Sequence, residues 1–148
     1  GERGVCRFVR AAQYSSMPKE QYFSEANEAL VIVQLEGQEA LDNLTDILEV
    51  DGIDIVFVGP YDLSQSLGVP GQVEHPKVIE TAGRIVSACL EKGIAVGNFT
   101  EKPAQTAFWT QQGLRYMSFS VDMGILYEAG AEIVSQLRQS VSPAEGNL

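Results

Sequence analysis

The chain is poor in the side chains that most often carry chemistry: its 148 residues include one histidine, two cysteines and one tryptophan. From His75 alone no Ser-His-Asp arrangement can be argued, and the sequence holds no CxxC pair, no GxGxxG and no Walker pattern. Hydrolase, zinc-ribbon and nucleotide-binding readings fall away with them. Cys6 and Cys89 are too few and too far apart for a disulfide framework, and Cys89 sits in an apolar helical pattern where it reads as a small buried hydrophobe. A reducing cytoplasm is the expected compartment.

Positive charge is scarce as well. Ten Lys and Arg stand singly against twenty Asp and Glu, for a formal net charge of −10. No basic stripe is available to neutralise phosphates, so neither nucleic acid nor an anionic membrane is an expected partner. The acidity reads as a solvated surface, and an anionic substrate would need a local metal ion or helix terminus to hold it. Missing too is any apolar run near the ~20 residues that span a bilayer, or a basic stretch leading into an apolar one at the start. The expectation is a chain that is neither membrane-bound nor exported.

What is present is 45% hydrophobic residues, enough for one domain over 1–148 with a substantial core and a frayed tail at 142–148. Residues 29–35 form a continuous, β-branched apolar run, the pattern of a strand buried on both faces of a parallel sheet. Residues 38–49 then switch to a helical period through Ala40, Leu41, Leu44, Ile47 and Leu48. The alternation recurs: a strand at 54–58, and a helix at 76–92 with Val78, Ile79, Ala82, Ile85, Val86 and Cys89 on one side and a Gly93 stop. A strand at 94–97, a helix at 103–112 opened by Pro103, a strand at 116–121 and a helix capped by Asp122 and reaching about 138 complete the series. Near the start, 5–9 reads as a weak strand or a loop, and Ser16 with Pro18 opens a short helix. Four βα units are half of the eight that close a barrel; an open flavodoxin-like sheet fits the same alternation.

Two acidic residues stand where strands end: Glu36 after Ile-Val-Gln-Leu, and Asp62 in the Gly-Pro-Tyr-Asp turn after the second strand. Ends of neighbouring parallel strands meet in space, so the pair suits one divalent metal at the mouth of an α/β sheet. Read blandly, each is a helix cap or a solvated charge. Asp122 directly precedes a helix and reads as its N-cap, and Phe108 with Trp109 reads as packing or an interface.

The order of Val-Gln-Leu-Glu at 33–36, Asp-Gly-Ile-Asp-Ile-Val-Phe-Val-Gly-Pro-Tyr-Asp-Leu-Ser-Gln-Ser-Leu-Gly at 51–68, and His-Pro at 75–76 before a helix resembles the HpcH/HpaI aldolase family. These are metal-dependent class II pyruvate aldolases, and the likeness runs from about Gly4 to about Leu137. It implies a TIM-type (β/α) barrel, with this chain its C-terminal half-barrel of about four parallel strands and flanking helices. It also implies reversible cleavage of 4-hydroxy-2-oxo acids to pyruvate and a small aldehyde. Carried over by position, Glu36 and Asp62 become the metal ligands, for Mg²⁺ or Mn²⁺ with Co²⁺ also suitable. Gln34, Tyr61, Asp62 and Phe99 become substrate-binding, with the Tyr61 and Asp62 N–H groups facing the pyruvate carboxylate and Phe99, with Phe119, shaping the aldehyde pocket.

The family's catalytic His and its substrate-binding Arg belong to the N-terminal half, so no catalytic residue is assigned within this chain; His75 matches a structural helix entry. Proton transfer by this chain alone would fall to a metal-bound water or a carboxylate. Two positions depart from the family pattern: Tyr61 stands where a small residue is usual, and Gly37 where Thr or Ser is. The first narrows the pyruvate pocket or shifts acceptor choice; the second removes a hydrogen bond near the metal. Expected partners are a second copy of the chain or a complementary N-terminal half-barrel. Two rival readings are a non-catalytic half-barrel assembly module with a vestigial metal site, and an open sheet using the carboxylates as a Mg²⁺ site for phosphate chemistry; no phosphate loop or adjacent lysine favours the latter.

Overall fold

A computed structural model of the protein describes residues 4–141, so the 142–148 tail lies outside the described residues. Four strands, β1 (Ile32–Leu35), β2 (Ile55–Val58), β3 (Ala95–Thr100) and β4 (Tyr116–Phe119), form one sheet in the order β1-β2-β3-β4, every pair parallel. A doubly wound open sheet reverses its strand order at a switch point. This sheet does not, and each strand is laid down beside the last in a single direction, as in a barrel wall. The flavodoxin-like reading falls on that observation.

The register sorts the side chains into two layers. Val33, Val56 and Val96 align in one row and Leu35, Val58, Asn98 and Met117 in another, and this face packs on helices. The principal partner is α5 (Pro76–Glu91), whose Val78, Ala82, Ile85, Val86 and Cys89 are all buried, as the helical period of the sequence predicts. Full burial of each such aliphatic side chain contributes about 1.5–3 kcal/mol, so this seam is the main source of stability. α5 ends at Gly93, whose φ of +74° is the left-handed stop conformation. Trp109, from α6 (Pro103–Gln111), and Leu114 close the same core.

The opposite face carries Ile32, Gln34, Phe57, Gly97, Phe99, Tyr116 and Ser118, the residues that point into the lumen of a barrel. Gly97 lies between Phe57 and Tyr116 in one row, and a Cβ there would come within 2.5 Å of Tyr116 Cδ1. Its bare backbone lets the two rings meet edge to face, with centroids 5.9 Å apart.

Several expectations are corrected. The first strand is Ile32–Leu35 rather than 29–35, and it is not buried on both faces: Ile32 is 40% exposed, because β1 is an edge strand and its inward face lies open. The helix over 38–49 is two pieces, α2 (Gln38–Asp42) and α3 (Leu44–Leu48), parted at Asn43, whose side-chain amide donates to the Glu39 carbonyl at 2.8 Å. A side chain competing for a helical carbonyl is a recognised source of such breaks. β3 extends to Thr100, beyond the expected end at Gly97. β4 stops at Phe119, before Ser120 at φ +51°. Residues 5–9 are loop rather than strand, followed by a 3-10 turn at Arg10–Ser15 and α1 (Lys19–Glu25).

The last helix, α7 (Asp122–Val141), runs past the expected end near Arg138, and Asp122 is its first residue, its carboxylate accepting from the adjacent Met123 N–H at 2.8 Å. None of its side chains is buried: Met123, Leu126, Ile133, Leu137 and Val141 are all exposed. Among the described residues its apolar side chains lie open to solvent. Among the described residues no helix is long and apolar enough to cross a membrane.

Candidate metal and pyruvate site

β1 and β2 are neighbours, with Leu35 paired to Val58, so Glu36 and Gly59 are the next positions up the same ladder. The Glu36 carboxylate lies over the Gly59 backbone: a Cβ on Gly59 would overlap Glu36 Oε2 and approach Gln34 Nε2 to 2.8 Å. Gln34 Nε2 donates to Glu36 Oε2, so the inward-facing amide orients the carboxylate. Gly59 is also the N-cap of α4 (Pro60–Ser66), the short helix that carries Tyr61 and Asp62 in its first turn.

Pro60 sets the helical φ at the first position, and the Leu63 N–H makes the first helical bond, to the Gly59 carbonyl at 2.9 Å. The N–H groups of Tyr61 and Asp62 precede that bond and have no helical acceptor. Leu63 and Ser64 are fully buried and anchor the turn, while Tyr61 and Asp62 are exposed at the strand ends. Glu36 thus directly follows the end of β1, and Asp62 lies in the first turn of α4, four residues past the end of the neighbouring β2. Among the described residues no cluster of three or more His, Cys, Asp or Glu surrounds a common point. Carboxylate oxygens are the ligand chemistry that a hard cation takes.

Tyr61 is held by two contacts. Its hydroxyl donates to the Glu101 carboxylate, and its ring meets Phe99 edge to face with centroids 6.3 Å apart. The Glu101 hydrogen bond, then partial burial, then the negative charge of Glu101 raise the Tyr61 pKa above the ordinary phenol value. Phe99 and Phe119 do not share one wall: the register pairs Phe119 with Thr100, which places the two rings on opposite faces of the sheet. His75 is the N-cap of α5, its Nδ1 accepting from the Lys77 N–H at 3.2 Å. That bond caps the helix, a structural task.

Three residues near the site carry more than the sequence reading assigned to them. Gly59 makes the space for Glu36, Glu101 fixes Tyr61, and Asn98 lies 2% exposed in the middle of β3 with its Oδ1 lacking a partner among the described residues. Asn98 lay beyond the expected strand end at Gly97, so its burial in β3 was not foreseen. Glu101 had no visible signal, because its partner lies forty positions earlier.

The chain is similar to known proteins over nearly its whole length. Residues 5–129 match the family model for HpcH/HpaI aldolase/citrate lyase. A 2-keto-3-deoxy-L-rhamnonate aldolase of Salmonella schwarzengrund (strain CVM19633) is 39% identical over 153 residues, which cover 98% of this chain and 55% of that enzyme. An HpcH/HpaI aldolase/citrate lyase family protein of Burkholderia cenocepacia J2315 superposes with a TM-score of 0.82 at 33% identity, over 93% of this chain and 53% of that one. The citrate synthase SbnG does so at 0.73 and 27% identity, over 83% and 51%. The chain thus spans about half the length of the relatives it matches. On the match across 5–129, the chain belongs to the HpcH/HpaI aldolase/citrate lyase family.

Proposed function

We propose that this chain carries the metal- and pyruvate-holding half of an aldolase site that reversibly cleaves 4-hydroxy-2-oxo acids to pyruvate and an aldehyde. The observation that supports it best is Glu36 at the end of β1 and Asp62 in the α4 turn that follows the neighbouring β2, with the glycine at 59 leaving room for the Glu36 carboxylate. Those two carboxylates would hold Mg²⁺, Mn²⁺ or Co²⁺, which when bound supplies Lewis-acid stabilisation of negative charge developing on the 2-oxo group. Gln34 keeps Glu36 turned toward the site through its amide. The Tyr61 and Asp62 N–H groups offer donors to the substrate carboxylate, and Phe99 with the Tyr61 ring forms an apolar wall beside it.

Cleavage breaks the bond between C3 and C4 as the 4-hydroxyl loses its proton, and pyruvate forms when C3 regains one. The sole histidine caps α5 and is not available for that exchange. The proton-moving group belongs to residues beyond these, in the other half of a barrel or in a second chain. The unclosed sheet and the uncovered apolar side chains of α7 support such a partner, either a second copy or a complementary half-barrel.

Calorimetric titration of the 148-residue protein with Mn²⁺ and pyruvate tests the reading: ternary binding is expected, with poor turnover of a 4-hydroxy-2-oxo acid. Efficient cleavage by this chain alone would overturn the half-site argument. The same open edges and unpacked α7 favour a second reading, a non-catalytic assembly module with a vestigial metal site. Absence of Mn²⁺–pyruvate binding at millimolar ligand would select it.

A further inference from the structure

Glu101 directly follows the end of β3 at Thr100, at the same end of the parallel sheet as Glu36 and the α4 turn. It stands two positions past Phe99, so it has the parity of the inward-facing Gly97 and Phe99. Its carboxylate accepts from the Tyr61 hydroxyl, and the Tyr61 ring meets Phe99 edge to face. Tyr61 therefore leans from its turn toward β3, on the side of β2 opposite to β1 and Glu36.

The backbone that carries Glu101 is itself fixed. Gln105 Oε1 accepts from the Glu101 N–H at 3.0 Å and the Lys102 N–H at 3.1 Å, while Gln105 Nε2 donates to Glu74 at 2.8 Å. The Thr100 and Thr106 hydroxyls, 2.7 Å apart, tie the end of β3 to α6. Lys102, the adjacent cation, pairs with Glu74 at 3.3 Å. The side-chain partner of Glu101 is a neutral phenol, which orients the carboxylate and leaves its negative charge in place.

In the reaction proposed above, the substrate carboxylate and 2-oxo group lie at the Glu36 and Asp62 end, and the part that leaves as the aldehyde extends from C4. We propose that this part runs along the Tyr61 and Phe99 wall to Glu101, which selects the aldehyde: one that is uncharged and bears a hydroxyl is accepted, and one that carries a second carboxylate is rejected. The inference rests on the aldolase reading and deepens it. A carboxylate accepts more than one hydrogen bond, so Glu101 can take one from the hydroxyl while it holds Tyr61. Like charges about 4 Å apart repel enough to cost about fivefold in affinity even in water, a penalty that a neutral tail does not meet. Tyr61 keeps the exposed Glu101 carboxylate turned to the wall.

Calorimetric titration of the full chain in Mn²⁺ tests this by binding, without recourse to turnover. The probes are pyruvate, 4,5-dihydroxy-2-oxopentanoate and 4-hydroxy-2-oxopentanedioate; the last two differ only in a terminal hydroxymethyl or carboxylate group. The dihydroxy acid should bind about fivefold more tightly than the diacid, and the ratio should shrink as salt is raised. Glu101→Gln keeps an oxygen to accept from Tyr61 and removes the charge, and should bring the ratio close to one. Tyr61→Phe keeps the ring and frees the carboxylate, and should lower the ratio as well. A change in pyruvate binding common to both probes cancels in that ratio, so a general loss of structure does not mimic the effect. Equal affinities in the unaltered chain, a preference for the diacid, or an undiminished ratio in Glu101→Gln overturns the proposal, while pyruvate binding alone leaves the aldolase reading standing. Absence of pyruvate binding in Mn²⁺ overturns both.

Discussion

Glu36 and Gly59 occupy one volume between them: the carboxylate of the first lies where the side chain of any other residue at the second would be. Gly59 has a φ of −87°, a value open to every residue, so its need for glycine is steric and not conformational. Gly59→Ala should therefore fold normally while displacing Glu36. We expect Mn²⁺ affinity to fall by about tenfold or more, as for other changes that misorient a metal ligand. Calorimetry beside Glu36→Gln checks this: an alanine variant that binds Mn²⁺ as the parent does would separate Gly59 from the site.

The core seam under the sheet is the stability determinant. Ile85 is fully buried at the centre of α5, and Ile85→Ala should cost about 2–5 kcal/mol. Urea unfolding measures it, and a loss under 1 kcal/mol, on the order of an exposed-site change, would show that α5 is not seated as described.

Cys89 is fully buried, and burial pushes its thiol up to about 11. Cys6 is exposed. Iodoacetamide at neutral pH should label Cys6 in the folded protein and reach Cys89 only after unfolding. A folded-state pKa above the unfolded thiol value means that the protonated form is favoured by folding. The associated stability is present below the ordinary thiol pKa and is lost as pH rises from there through about 11. Loss of stability over that window should shrink in Cys89→Ala.

The Tyr61–Glu101 bond predicts an alkaline signature. Raised above the ordinary phenol value, Tyr61 keeps its proton where an exposed tyrosine has lost it, and its contribution to stability is intact below that value and lost above it. The difference between the ultraviolet titrations of the parent and Tyr61→Phe isolates this group among five tyrosines. Glu101→Gln should move its midpoint down toward the ordinary range. An unchanged midpoint would mean that Glu101 is not its partner in solution.

If α7 is the contact to a second copy, Leu126→Asp with Leu137→Asp should yield monomer by light scattering, with stability changed by no more than about 0.5 kcal/mol, because both side chains are exposed. A large loss of stability would mean that α7 folds back on this domain.

Much of the architecture was legible in the residues themselves. The helical period of Val78 to Cys89 and the glycine stop at 93 each report a local rule that the structure obeys, whereas the β-branched run at 29–35 is strand only from Ile32. The placement of Glu36 and Asp62 at strand ends follows from the same periodicity, since a parallel sheet brings successive strand ends together. The break at Asn43 was less visible, because the φ of −107° and ψ of 16° at that one residue interrupt an otherwise continuous apolar pattern.

What the sequence by itself determined, then, was the alternation of strand and helix, the buried face of α5 and the acidic pair, all properties of spacing along the chain. Only the tertiary structure decided the strand order that rules out a doubly wound sheet, the clearance of Glu36 by Gly59, the Tyr61–Glu101 tie and the burial of Asn98. The physical reason is range: periodicity acts over a few residues, whereas those features join groups tens of positions apart, and their energies exist only once the sheet has brought them together.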